Sequence, residues 1–263
     1  MTKIFSLSNQ KGGVGKTTTT VNLATALAAL RKKVLIIDLD PQGNATVSVG
    51  CQRRQGGQNS YTVLTGRYKA SESIIQTSIP FLYVLPASQE LLGVDIELSN
   101  VEKPQFFLKK AISELTNFDY IFIDCPPAVG LLTMNALVAS TSVIIPVQCE
   151  YLALEGVADL VKTIEKVKRN FNPSLKIDGI VMTMFDGRSR LSRSVDNDVR
   201  SFFKDLVYDT VIPRNVRIPE APSHGKPVML YDFKSTGAQS YIRLAGEILN
   251  REKGEKNGSM GIR

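Results

Sequence analysis

The chain has 263 residues, 43% of them apolar and 22% charged, the ordinary balance of a soluble globular protein and enough to bury the core of one large α/β domain. No apolar run nears the length that crosses a bilayer, no secretory leader is expected, and the three cysteines (Cys51, Cys125, Cys149) follow neither a disulfide nor a zinc spacing, so a reducing cytoplasm is expected. The net charge of +7, from 32 basic and 25 acidic residues, suits nucleic acid or anionic lipid without requiring either.

Residues 4–8 open with a run that reads as a buried strand. Residues 9–18, Asn-Gln-Lys-Gly-Gly-Val-Gly-Lys-Thr-Thr, then form a glycine-rich loop leading into a helix over 16–30. Residues 34–38 make a second strand, ending at Asp38 with Asp40 two positions on. Residues 50–60 lack periodicity and read as a loop. A strand over 82–86 precedes a helix over 104–115, with Pro104 suited to its first position. The strand over 120–124 ends on Asp124, followed by Cys-Pro-Pro. A helix over 131–139, a strand over 143–147 and Glu150 come next, then a helix over 155–171, a strand over 177–184 and a helix over 191–203. Strands buried on both faces and alternating with helices predict a doubly wound, mostly parallel sheet with helices on both faces. One domain is expected over 1–252, with a polar, disordered tail over 253–263. Gly12, Asp40, Asp124 and Glu150 all fall at carboxyl ends of strands, where such sheets bind ligands.

A strand, a glycine loop and a helix start are the parts of a phosphate cradle, because small residues let backbone N–H groups and the helix N-terminus converge on an anion. The general template is Gly-x-x-x-x-Gly-Lys-[Ser/Thr]. Here Gly15-Lys16-Thr17 supplies its end, Gln10 replaces the first glycine, and Lys11 adds a second cation at the mouth. Gly12, Gly13, Val14 and Gly15 are expected to line the phosphates, with Lys16 across the β- and γ-phosphates and Thr18 donating to the α-phosphate. Thr17 and Asp124 suit Mg²⁺, which keeps much of its water and needs few protein oxygens. Asp38 is placed with them in the metal group, the alternative being a structural carboxylate. The single histidine, His224, lies in a loop without a serine partner, which argues against triad hydrolysis.

The loop resembles the deviant Walker A motif of the ParA/MinD ATPases. Val34-Leu-Ile-Ile-Asp-Leu-Asp-Pro-Gln-Gly-Asn44 is similar to the family's second motif, and Tyr120-Ile-Phe-Ile-Asp-Cys-Pro-Pro127 to its Walker B strand and switch. Ile212-Pro-Arg-Asn-Val-Arg217 and Glu220-Ala-Pro-Ser-His-Gly-Lys-Pro227 resemble the short chromosomal branch often called Soj. The resemblance implies ATP and Mg²⁺ as cofactors and slow hydrolysis. It implies Asp40 as the group that orients the attacking water, and Asp38 near the metal's outer shell. It also implies that Lys11 reaches a partner's nucleotide across an ATP-dependent homodimer. Pro126 and Glu150 would contact the nucleotide, and Met184, Pro213 and Asn215 would hold the base.

Arg188, Arg190 and Arg193 follow one strand, and Arg217, Lys226 and Lys234 come from the next segments. Residues 186–234 hold nine basic and seven acidic side chains, so loop placement rather than net charge points to a DNA face. The resemblance implies sequence-independent binding of double-stranded DNA, nucleoid association, and a ParB-type (Spo0J-like) centromere-binding partner that speeds hydrolysis through a basic peptide. Two alternatives come from other classes. A MinD-type membrane ATPase needs an amphipathic C-terminal helix, and Ile242, Leu244, Ala245, Ile248 and Leu249 form a stripe expected instead to pack on the core, so no membrane partner is expected. A relative of the nitrogenase iron protein needs paired cysteine ligands, which Cys125 and Cys149 supply poorly.

Overall fold

The computed structural model describes residues 2–259. Seven strands form one sheet: β1 (Lys3–Leu7), β2 (Val34–Asp38), β3 (Ile75–Gln76), β4 (Leu82–Leu85), β5 (Tyr120–Asp124), β6 (Ser142–Gln148) and β7 (Lys176–Thr183). Their order is β3-β4-β2-β5-β1-β6-β7, and all neighbours are parallel except the short edge pair β3–β4. The expected doubly wound sheet is therefore present, with an antiparallel edge strand too short to leave a periodic signal. The apolar runs of β2 and β5 are buried at every position, as a sheet covered on both faces requires.

The long helices are α1 (Lys16–Ala29), α2 (Leu131–Ala139), α3 (Ala153–Asn170), α4 (Arg190–Phe203) and α5 (Thr236–Ser259). α1 and α5 pack against one side of the sheet, around Phe5, Leu7, Ile36 and Phe122. α2 joins the cluster on the other side, around Leu35, Ile37, Ile121 and Ile123. α3 and α4 cover the β6–β7 end through Leu160, Ile164, Val199 and Phe203. The stripe on α5 packs on the core as expected: Leu244, Ala245 and Ile248 are fully buried, and Ile242 and Leu249 lie against them.

Three boundaries differ from the sequence reading. The helix expected over 104–115 is a 3-10 turn, Pro104–Phe106, followed by a short helix, Phe107–Ala111; Lys103 before it takes a left-handed φ of 53°. Residue 184 leaves β7, because Met184 turns to a φ of 51°. α5 runs on into residues 253–259, within the stretch expected to be a disordered tail; Gly254 and Gly258 disfavour helix there, and the extension continues a helix already anchored by its buried face. The rest of that tail, residues 260–263, lies outside the described residues.

Gly179 on β7 shows how tightly the edge is packed. A Cβ there would lie 2.6 Å from the ring of Tyr208, which is fully buried and donates its hydroxyl to Asp178. Gly179→Ala is expected to lower the unfolding free energy by about 1–3 kcal/mol in urea titrations, because the ring has nowhere to retreat.

Candidate functional site

β1 lies between β5 and β6, so the loop after it emerges in the centre of the sheet's carboxyl edge. Gly13 and Gly15 take φ values of +75° and +89°, the left-handed backbone that lets the loop fold around its own amides. α1 then starts at Lys16 with no side-chain cap and no acidic residue in its first turn, leaving its first N–H groups for an anion. Two side chains tie the loop to neighbouring strands, Asn9 of the loop itself and Thr183 of β7. Asn9 donates to the Pro146 carbonyl (2.7 Å) and accepts the Lys11 N–H (3.0 Å). Thr183, at the end of β7, donates to the Val14 carbonyl (2.8 Å). The flanking Pro127 side chain comes within 3.9 Å of where a Cβ on Gly12 would stand.

Lys16 is only 6% exposed, and among the described residues its ammonium donates to the Lys11 carbonyl alone, at 3.1 Å. Burial lowers its pKa, against the pull of Asp124 nearby. A buried ammonium without a carboxylate bonded to it fits an incoming phosphate.

The carboxylates lie opposite the loop. β2 and β5 pair Asp38 with Asp124 in register, and both are fully buried. Asp124 accepts the hydroxyls of Thr17 (2.7 Å) and Thr20 (3.0 Å). Burial, then the charge of Asp38, pushes the Asp124 carboxyl up to about 8. Burial likewise pushes Asp38 up to about 6, although it accepts bonds from Thr46. A cation bound beside Thr17 and Asp124 would offset that cost, so this donor set fits Mg²⁺. Among the described residues no group of three or more His, Cys, Asp or Glu side chains is placed to hold a metal, which leaves the ion dependent on water and phosphate for its other ligands.

Asp38, expected in the metal group, has protein donors on both carboxylate oxygens. One of its oxygens accepts the Asp40 N–H (3.2 Å), and the other accepts both the N–H (2.8 Å) and the hydroxyl (2.7 Å) of Thr46. Its oxygens are thus committed to fixing Asp40 and the short helix Asn44–Ser48, consistent with a place behind the metal group rather than in it. Asp40 itself is nearly buried, and one of its oxygens caps the Gln42 N–H (2.9 Å).

Lys11 stands on the rim. Its Nζ pairs with Glu150 of the same chain at 2.8 Å, and the two side chains are 55% and 44% exposed. Gln148 donates to the other Glu150 oxygen and orients it. The chain alone therefore shows an internal partner for the ammonium that the family resemblance assigns to a second protomer. Such an exposed pair is weak, contributing at most about 1 kcal/mol, and exchanges readily.

Of the residues expected around the base, Met184 and Pro213 are brought together by a parallel bridge between Phe185 and Pro213. Pro126 lies half-buried directly after Cys125 in the Asp124 loop. Thr18 is half-buried in the first turn of α1, where its carbonyl accepts a bond from Asn22 (2.8 Å). The Asn215 amide is committed to Thr236 (2.8 Å) and to the Arg217 N–H (2.9 Å), so it shapes that loop rather than pointing free. His224 stacks on Tyr231 at 4.9 Å between ring centres.

The basic residues form two groups. Arg188, 92% exposed, pairs with Asp186, while Arg190 and Arg193 are exposed on the first turn of α4. Arg217 pairs with Glu220 (2.9 Å) and Asp232 (3.4 Å), while Lys226 and Lys234 are exposed nearby in the chain. The sequence reading missed Asn9, Thr20, Thr46 and Thr183. Only Thr183 carried a usable signal, as a hydroxyl at the carboxyl end of a predicted strand. Thr183→Val is expected to leave the Val14 carbonyl unpaired, to cost about 1–3 kcal/mol in chemical denaturation, and to speed amide exchange at residues 13–16.

Residues 2–177 match a protein-family profile described as an AAA domain. The chain is 48% identical over 254 residues to the chromosome partitioning protein ParA of Caulobacter vibrioides, covering 95% of each. It is 49% identical over 249 residues to the sporulation initiation inhibitor protein Soj of Bacillus subtilis, covering 94% of this chain and 98% of that one. Among solved structures it is similar to a cobyrinic acid a,c-diamide synthase of Mycobacterium smegmatis with bound ADP and magnesium (TM-score 0.84, 36% identity, 96% of each chain). It is also similar to the septum site-determining protein MinD of Pyrococcus horikoshii complexed with Mg-ADP (TM-score 0.78, 29% identity, 94% of this chain and 96% of that one). The partitioning proteins are nearer in sequence than either of these along almost the whole chain, and with the phosphate loop and its paired strand-end carboxylates they establish that the chain belongs to the ParA/MinD family of P-loop ATPases, in its chromosomal ParA/Soj branch.

Proposed function

We propose that this chain is a Mg²⁺-dependent ATPase that acts as a partitioning switch. In this reading ATP joins two copies, the pair binds double-stranded DNA without reading sequence and associates with the nucleoid, and hydrolysis, accelerated by a ParB-type partner, releases it. The observation that carries the reading is the buried, carboxylate-free Lys16 at an open helix start, facing a buried carboxylate pair, with a second lysine on the rim.

Each residue then has a task. The amides of residues 12–18 and the Lys16 ammonium bind the phosphates. Thr17 and Asp124 hold Mg²⁺, which neutralises phosphate charge when bound. Asp40, fixed through Asp38, orients one water; phosphoryl transfer demands placement more than a strong base. Lys11 exchanges Glu150 for a phosphate of the second copy, so that the dimer forms only around triphosphate. Arg188, Arg190, Arg193, Arg217, Lys226 and Lys234 meet the DNA backbone. The acids now beside Arg188 and Arg217 are partly exposed partners that a phosphate can replace. Dimerisation doubles the phosphate contacts, which makes DNA affinity follow nucleotide state.

The membrane-ATPase reading is the less favoured, because the likeness to MinD is more distant than that to ParA and Soj. The C-terminal stripe it needs is spent on the core, and among the described residues no helix is long and apolar enough to cross a membrane.

Filter binding of duplex DNA tests the proposal. Wild type is expected to retain DNA with ATP and not without it, and retention should fall by on the order of 10³-fold between 50 and 200 mM salt if six phosphates are met. Lys16→Ala and Gly12→Val are expected to abolish retention, and Lys11→Ala to leave a monomer in light scattering. Equal retention of wild type with and without nucleotide would refute the switch.

A further inference from the structure

Asn22 lies on α1 just beyond the phosphate loop and is only 4% exposed. Its Nδ2 donates to the Thr18 carbonyl (2.8 Å), and its Oδ1 accepts the Val228 N–H (2.8 Å). One amide group therefore joins the first turn of α1 to a residue 206 positions away. Val228 opens the short helix Val228–Tyr231, directly after Lys226 and Pro227 and ahead of Lys234. Arg217 is tied to the end of the same helix through Asp232. Residues 217–234 thus form one unit that carries three of the basic side chains.

A second contact reaches this unit from the other loop beside the phosphates. Asp38 fixes Thr46 in the helix Asn44–Ser48, and just past it Gly50, at a φ of +77°, donates its N–H to the Val47 carbonyl. A Cβ on Gly50 would lie 3.1 Å from the Gly225 carbonyl oxygen, and one on Gly225 would lie 3.4 Å from the Gly50 Cα. The two backbones touch with no side chain between them. Thr17, Thr18, Asn44, Ile218 and Lys226 border a cavity of about 230 Å³ among the same elements. The unit therefore meets the phosphate-side elements at these two points and through the buried Ala221, Val228 and Met229, with a cavity beside the contacts.

We propose that Asn22 is a positioning residue that carries the state of the phosphate loop to the basic unit 217–234, with the Gly50–Gly225 contact as a second point of attachment. The inference rests on the switch reading and adds a route that dimerisation alone does not supply. Asn22 touches neither phosphate nor DNA. A movement of the Thr18 carbonyl draws the Asn22 amide, and with it the Val228 N–H, and so re-aims Lys226 and Arg217. Coupling of this kind is reciprocal: DNA held by the unit slows nucleotide release by the factor that nucleotide raises DNA affinity.

Asn22→Asp separates this role from a structural one. The carboxylate still accepts the Val228 N–H but has no proton for Thr18, so the unit stays anchored to α1 at residue 22 while its tie to the first-turn carbonyl is lost. The test loads the full chain with ATPγS and measures dimer fraction by light scattering, affinity for a 60-base-pair duplex by anisotropy, and release of a fluorescent ATP analogue with and without that duplex. The expected result is a dimer fraction like that of wild type, a melting temperature lowered by the buried carboxylate, a DNA affinity about ten-fold lower, and nucleotide release that DNA no longer slows. Gly50→Ala, which wedges the second contact apart, is expected to uncouple in the same way. If Asn22→Asp matches wild type in DNA affinity and in the effect of DNA on release, or if it loses the dimer, the relay is overturned. If wild type itself fails to retain DNA with ATPγS, the switch reading falls; if wild type retains it and Asn22→Asp does too, only the relay falls.

Discussion

Two buried carboxylates held side by side, with a buried ammonium near them, set the terms for the rest of this molecule. The parallel pairing of β2 with β5 places Asp38 opposite Asp124 where water cannot reach either. Burial of like charges is costly and raises both carboxyls toward neutrality. The fold answers with hydroxyls from Thr17, Thr20 and Thr46 rather than with cationic side chains bonded to the carboxylates. Lys16 approaches the group yet hydrogen-bonds only a backbone carbonyl. An arrangement that leaves buried charge incompletely compensated is stable only within a rigid frame, and the strand ends, the Asn9 and Thr183 tethers and the fully buried core supply it.

The same economy explains why the rim differs from the floor. Lys16 and Asp124 are buried and held in one arrangement, whereas Lys11 and Glu150 form a half-exposed pair that a better anion can displace. The exposed arginines on the proposed DNA face are paired in the same loose manner. A site built to recognise nucleotide state needs both kinds of interaction: a fixed interior that defines the ligand, and outer contacts weak enough to exchange when a partner arrives.

Motifs that are contiguous in the chain were legible before any coordinates. The phosphate loop could be read because its spacing alone dictates its shape, and the buried strands because parallel sheets demand continuous apolar runs. The α5 stripe is legible as a helix face that packs on the core, because its apolar residues recur at helical spacing. What escaped are single polar side chains whose partners lie far off in sequence. Thr183 bonds Val14 across 169 positions, and Asn22 bonds Val228 across 206. A lone threonine or asparagine within an apolar stretch carries no pattern that announces such a partner.

The residue string by itself determined the sheet's class, the strand–loop–helix cradle, and the residue types proposed to meet phosphate and magnesium, because each depends on local spacing and periodicity. Only the tertiary structure decided that Asp38 serves as a brace for Asp40 and Thr46, that Lys11 has Glu150 for a partner within its own chain, and that the basic segment near the C-terminus is fastened to α1 through one buried amide. Those outcomes turn on strand register and on contacts between distant segments, which exist only once the sheet has closed and water has been excluded.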